Sequence, residues 1–232
     1  MIVEELWLRA IDVQPAPPPV VVLVTALAAA MLVGWQRSWR VLRGVVTIAH
    51  EGGHAAVAAL AGRRLIGIRL HSDASGLTVS SGSPTGVGMV FTLLAGYLAP
   101  SVLGLGGVVL LAAGLITALL WVAIALLGAM LLLIRNGYGV VSVVGTGVVL
   151  VVLSWFASST AQGALAYLIV WFLLLAAPRP VFEVSRLRRR GRGADSDPDQ
   201  LARLTGVGAS WWITLFGVLT LVAATCGAYL LL

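Results

Sequence analysis

Lysine is absent from this chain of 232 residues, and acidic side chains are few: nine Asp and Glu stand against fifteen basic residues, every one of them arginine. Cysteine occurs once, at Cys226, which excludes a disulfide framework and a cysteine-based metal site. It stands in the last apolar run with no base nearby, so it reads as filler rather than as a nucleophile. Charged residues make up only 10% of the chain and hydrophobic residues 59%, which excludes an ordinary soluble domain. The formal charge of +6 does not indicate a nucleic-acid partner. No basic stripe alternates with aromatics, and arginine clustered between apolar runs is the usual signal of membrane topology. The first residues also lack the positive charge of a cleaved leader. Glu4, Glu5 and Asp12 precede the first apolar run, and Pro15, Pro17, Pro18 and Pro19 stiffen its entry.

A helix needs about 20 mostly apolar residues to cross a bilayer. Seven stretches are candidates: 20–35, 41–61, 87–109, 111–134, 138–156, 161–177 and 210–232. Residues 89–134 carry no charge and are too long for one helix, so they are divided near Gly104, Gly106 and Gly107. The expected fold is an all-α integral membrane protein, a polytopic bundle of about seven transmembrane helices with a short β-hairpin, in one membrane domain over residues 1–232. Within it, 1–19 is an N-terminal segment, 62–86 the hairpin loop and 178–209 an arginine-rich cytoplasmic loop. A cytoplasmic N-terminus puts Arg9, Arg63, Arg64, Arg69, Arg135, Arg179, Arg186, Arg188, Arg189, Arg190, Arg192 and Arg203 inside. Arg37, Arg40 and Arg43 are then left outside, unless the first helical hairpin is distorted. Trp35, Trp39, Trp155, Trp171, Trp211 and Trp212 fall near span ends and fit an interfacial aromatic belt.

In the 62–86 segment, 65–70 and 77–81 are short β-prone runs joined by the turn-forming His71-Ser72-Asp73-Ala74-Ser75-Gly76. Two strands are marginal alone in water, so the hairpin is expected to pack on the bundle. Its exposed edge offers an extended substrate a place to add as a strand.

Against this apolar background stands His50-Glu51-Gly52-Gly53-His54. Positions i and i+4 of a helix share a face, so both imidazoles can hold one Zn²⁺ at about 2.0–2.1 Å. Glu51, beside the metal, is placed to take a proton from zinc-bound water. Three ionisable residues within five positions of a span are costly without a site. The plain alternative is polar residues hydrogen-bonded inside a bundle, but a buried carboxylate between two histidines calls for a cation.

His50–His54 in a span, a hairpin directly after it, and then a span containing Ala95-Gly96-Tyr97-Leu98-Ala99-Pro100 resemble the site-2 protease family of intramembrane zinc metalloproteases. The chain looks most like the small bacterial membrane metallopeptidase-like branch, with its Arg-Asn-x-x-Gly element (here Arg135-Asn136) and its Ser-Asp-x-Asp-Gln-Leu-Ala-Arg-Leu-Thr element (here 196–205). The likeness extends from Val41 over nearly the whole remaining chain. It implies hydrolysis of peptide bonds in or near the membrane, with His50 and His54 as zinc ligands, Glu51 as base and a transmembrane protein as substrate.

One departure matters. The main family takes its third ligand from an Asn-x-x-Pro…Leu-Asp-Gly element on a later span. Here the nearest match begins at Asn136, and Val144 followed by Gly145 stands where the aspartate would be. Three acids remain as candidates, in the order Asp197, Asp199, Asp73. Each also has a structural reading. Asp197 before Pro198 suits a helix N-cap with proline at N1 and Gln200 at N3, Asp199 suits the second helical position, and Asp73 suits a turn. Glu183 follows Pro180 in a loop with no helix to aim it. His71 reads as a third nitrogen ligand or as a solvent-facing turn residue. Asn136 is either an oxyanion donor or a helix cap. Tyr97 and Pro100 either widen a cleft or make a packing kink.

Three functions fit these residues: a working intramembrane protease, an impaired relative that binds rather than cleaves, and an ion or metal path. The third lacks further acids and histidines along the other spans for a relay. The all-arginine, alanine- and valine-rich composition fits a bacterium of high genomic GC content, and hence a bacterial cytoplasmic membrane.

Overall fold

The computed structural model describes residues 12–73, 75–191 and 195–232; Glu4, Glu5, Arg9 and Arg192 lie outside them. In chain order the elements are α1 (Pro19–Gly34), α2 (Gln36–Leu60), β1 (Arg64–Leu70), β2 (Gly76–Ser81), α3 (Val87–Ala112), α4 (Ile116–Leu133), α5 (Gly137–Phe156), α6 (Ser159–Ala176), α7 (Pro178–Arg189), α8 (Asp197–Thr205) and α9 (Ala209–Leu231). α1 starts on Pro19, whose fixed φ suits a first helical turn, and breaks at the extended residue Trp35.

Among the described residues, five helical stretches are long and apolar enough to cross a membrane: α3, α4, α5, the run Ser159–Arg189 through α6 and α7, and α9. α1 and α2 are bent by 99° against each other and make at most a sixth. The expected count of seven is therefore corrected to five or six. With 16 residues, α1 is about 24 Å long, short of a bilayer core, and α2 carries three arginines in its first turns. The arginine-rich loop expected at 178–209 is largely helical, as α7 and α8.

The expected break near Gly104 falls instead at Gly114, which turns with φ +72°. α3 runs unbroken through the earlier glycines because two of them are contact points. A Cβ on Gly104 would strike Leu174, and one on Gly107 would strike Val170, so the missing side chains let α6 lie close. Around this contact Trp39, Val108, Leu120, Val170, Trp171 and Leu174 form the largest apolar cluster.

Trp39 is 1% exposed, and Trp171 and Trp212 are also buried, so these three belong to the interior; Trp35, Trp155 and Trp211 keep the exposure a belt requires. The Trp39 indole donates to Glu183 Oε1 at 2.7 Å, and the Arg179 guanidinium lies 4.5 Å over its ring. Glu183 thus stands on α7 and anchors α2, which corrects its assignment to a loop.

The hairpin forms as expected, with Arg64 opposite Ser81 and Leu70 opposite Gly76. It packs on the bundle through Ile68 and Leu70, which cluster with Ile48, Ala55, Met130, Ile134 and Val143. Arg135 N donates to Ile68 O at 2.9 Å, so the α4–α5 connection covers the second edge of β1. Among the described residues, the outer edge of β2 has no strand partner.

The two ends of the bundle differ in charge. At one end Gln14 N donates to Gly114 O at 2.9 Å, beside the α3–α4 and α5–α6 turns, and no described arginine is found there. Every described arginine lies towards the hairpin end. Arg37, Arg40 and Arg43 belong to this group, because Arg179 at the start of α7 donates to Gln36 Oε1 at 2.6 Å and holds the α1–α2 bend at the foot of α6. Their expected separation from the other arginines is corrected accordingly.

Candidate metal centre

α2 places His50 and His54 one turn apart on the face it turns to α3. Close approach of the two helices depends on missing side chains. A Cβ on Gly53 would come within 3.0 Å of Ala99 and of the Ala95 carbonyl, and one on Gly96 would do the same to both imidazoles. The 95–100 segment therefore acts as a smooth wall against the histidines rather than as a widened cleft. Tyr97 sets its ring edge-on to His50 at 4.9 Å and stacks on Phe216 at 5.0 Å. Pro100 is buried within the continuous α3. Gly96→Ala is expected to displace the rings and lower the uptake of added metal while the protein stays folded; metal analysis beside a melting curve checks this.

The tautomer of His54 follows from its partner. Nδ1 lies 2.7 Å from the Thr92 carbonyl, which can only accept, so Nδ1 carries the proton and Nε2 keeps a lone pair. His54 Nε2 and His50 Nε2 are 3.0 Å apart. Asp197 Oδ2 completes a triangle, 3.2 Å from His50 Nε2 and 3.3 Å from His54 Nε2. Ligands about 2.0–2.1 Å from a tetrahedral zinc are separated by about 3.3–3.4 Å, so the edges of this triangle suit one ion. Among the described residues it is the one group of three His, Cys, Asp or Glu side chains close enough to share a metal.

Asp197 arrives from far along the chain. The cap of α8 is Ser196, whose carbonyl accepts from Asp199 N and Gln200 N at 2.9 Å; Asp197 and Pro198 are its first two residues. This corrects the expected cap by one position and leaves the Asp197 carboxylate free for the histidines. α8 is held there by Leu201, fully buried among Leu93, Val181, Trp212 and Phe216.

The remaining candidates are engaged elsewhere. Asp199, third in α8 rather than second, pairs with Arg188 and accepts from Ser196 Oγ. Asp73 accepts from Ser75 N at 2.9 Å and Ser75 Oγ at 2.6 Å, which lowers its pKa and fits its turn role. His71 is exposed in that turn, 3.2 Å from Ser75 Oγ. Asn136 turns its amide to β1: Nδ2 donates to Leu70 O at 2.7 Å and Oδ1 accepts from Leu70 N at 3.1 Å. Val144 is 40% exposed on α5.

Glu51 is 4% exposed and lies against the hairpin, where Oε2 accepts from Thr78 Oγ1 at 2.6 Å. Sequence reasoning missed Thr78, Gly76, Thr92 and Gly96. Only the period-two alternation of β2, which sets Gly76 and Thr78 on one face, hinted at the first two.

A family model described as peptidase M50B-like matches residues 23–227. No curated protein and no solved structure matches the chain. The matched stretch takes in the His50–His54 helix, the hairpin and α8, and the chain belongs to the peptidase M50B-like family, a site-2 protease family.

Proposed function

We propose that the protein is an intramembrane zinc metalloprotease, with His50, His54 and Asp197 as the zinc ligands and Glu51 as the general base. The observation that carries this reading is the triangle of 3.0, 3.2 and 3.3 Å between the three donor atoms, with a buried carboxylate on the residue next to His50. Zinc bound there supplies Lewis acidity towards a peptide carbonyl and towards water. Glu51 takes the proton of the attacking water and returns it to the amine that leaves as the C–N bond breaks. The substrate is a membrane protein whose partly unwound helix offers an extended segment to the open edge of β2. Gathering of the arginines at the hairpin end supports a cytoplasmic position for that end, with residues 12–18 on the far side of a bacterial cytoplasmic membrane.

Val144, standing where the main family carries a ligand aspartate, argues for an impaired, binding-only relative. Its exposure on α5 weakens that argument, because Asp197 reaches the histidines from another element.

The test is cleavage of a fluorophore–quencher single-span peptide with a central Gly-Gly break, reconstituted with the protein in phosphatidylethanolamine–phosphatidylglycerol vesicles. Cleavage that stops with 1,10-phenanthroline and returns with added zinc supports the reading. An inert protein with full zinc favours the binding-only relative, and a protein that takes up no zinc removes the metalloprotease.

A further inference from the structure

β2 alternates strictly: Gly76, Thr78 and Ser80 are half-buried towards α2, while Leu77, Val79 and Ser81 are exposed. Ser80 Oγ anchors this face by accepting from Arg63 Nε at 3.0 Å. Thr78 Oγ1 lies 2.6 Å from Glu51 Oε2 and 3.2 Å from the Glu51 carbonyl, so its single proton goes to the nearer, charged oxygen. Among the described residues no other donor reaches this carboxylate. Gly76 completes the cradle: a Cβ there would come within 3.0 Å of Oε1, Cγ and Cδ of Glu51.

We propose that Thr78 is a positioning residue for the reaction, holding the Glu51 carboxylate by Oε2 over Gly76 so that Oε1 is left to take the proton. A glutamate has three rotatable bonds, and a buried carboxylate without a donor is costly, so the base alone would not keep one orientation. A strand position accepts valine as readily as threonine. The hydroxyl is therefore what Thr78 contributes here. The arrangement also joins the base to the strand with the open edge. A segment added there lies about 4.8 Å from β2, so substrate and base are aligned by one element.

This inference rests on the protease reading, and the experiment separates the two. Thr78→Val, Thr78→Ser and Gly76→Ala are compared with wild type in the vesicle assay, with zinc content and melting temperature measured on each. Thr78→Val is expected to lower kcat about tenfold or more, with KM and zinc unchanged, and Thr78→Ser to restore most of the loss. Gly76→Ala is expected to lower kcat in the same way by pushing the carboxyl aside. An active wild type whose kcat is unaffected by Thr78→Val overturns the positioning role and leaves the protease intact. So does a Thr78→Val protein that loses zinc and melts early, since the hydroxyl would then be structural. An inert wild type overturns both.

Discussion

Glu51→Gln is expected to reduce peptide cleavage by about 10²–10⁴-fold while zinc content stays at the wild-type level. Glutamine has the shape of glutamate and can still accept from Thr78 Oγ1 at the 2.6 Å position, so the side chain keeps its place against β2. What it lacks is a site for the proton of water. The metal should not respond, because the three close donor atoms belong to His50, His54 and Asp197. Stability should not fall either, since the change removes a charge from a site only 4% exposed. Single-turnover cleavage beside metal analysis of the same sample checks the result. Retained cleavage would show that the proton goes elsewhere, and lost zinc would show that Glu51 is itself a ligand.

Asp197→Ala is expected to weaken zinc binding by more than about a hundredfold. Removing an outer partner of a metal ligand already costs about 10–100-fold, and here a ligand itself is lost. Two histidines alone fall one short of the three protein ligands usual at a catalytic zinc. His54→Ala should match it. Asp199→Ala should keep its zinc, because that carboxylate serves Arg188 and Ser196 at the start of α8. Asp73→Ala should change nothing at the metal, since Asp73 serves the hairpin turn. Zinc analysis of the four purified variants in mild detergent decides the matter. Loss with Asp199 or Asp73 but not with Asp197 would overturn the ligand set.

Much of this architecture is legible along the chain. The hairpin ends within a residue or so of its β-prone runs because alternation and turn chemistry are local properties. The helices likewise follow the apolar runs. Expectation went astray where a residue serves a distant partner. Gly104 and Gly107 suggested a helix break, since local propensity counts against glycine, yet both are contact points for Leu174 and Val170. Trp39 suggested an interface, and only α7 supplies the Glu183 acceptor that lets its indole be buried. Asp197 stood first among the candidate ligands and also suited a cap, and one residue of register decided whether its carboxylate faced its own backbone or two histidines.

The sequence by itself determined the apolar spans, the hairpin and the pairing of His50 with His54, because periodicity and i,i+4 spacing act within a few residues. Tertiary structure alone decided between Asp197, Asp199 and Asp73, which hydroxyl meets Glu51, and that Arg37, Arg40 and Arg43 join the other arginines. Asp197 is 143 residues from His54, and no local rule spans that distance. Leu201 in its pocket, Gly96 beneath the imidazoles and the bend at Trp35 bring these groups together, each through packing that exists only once the bundle has formed.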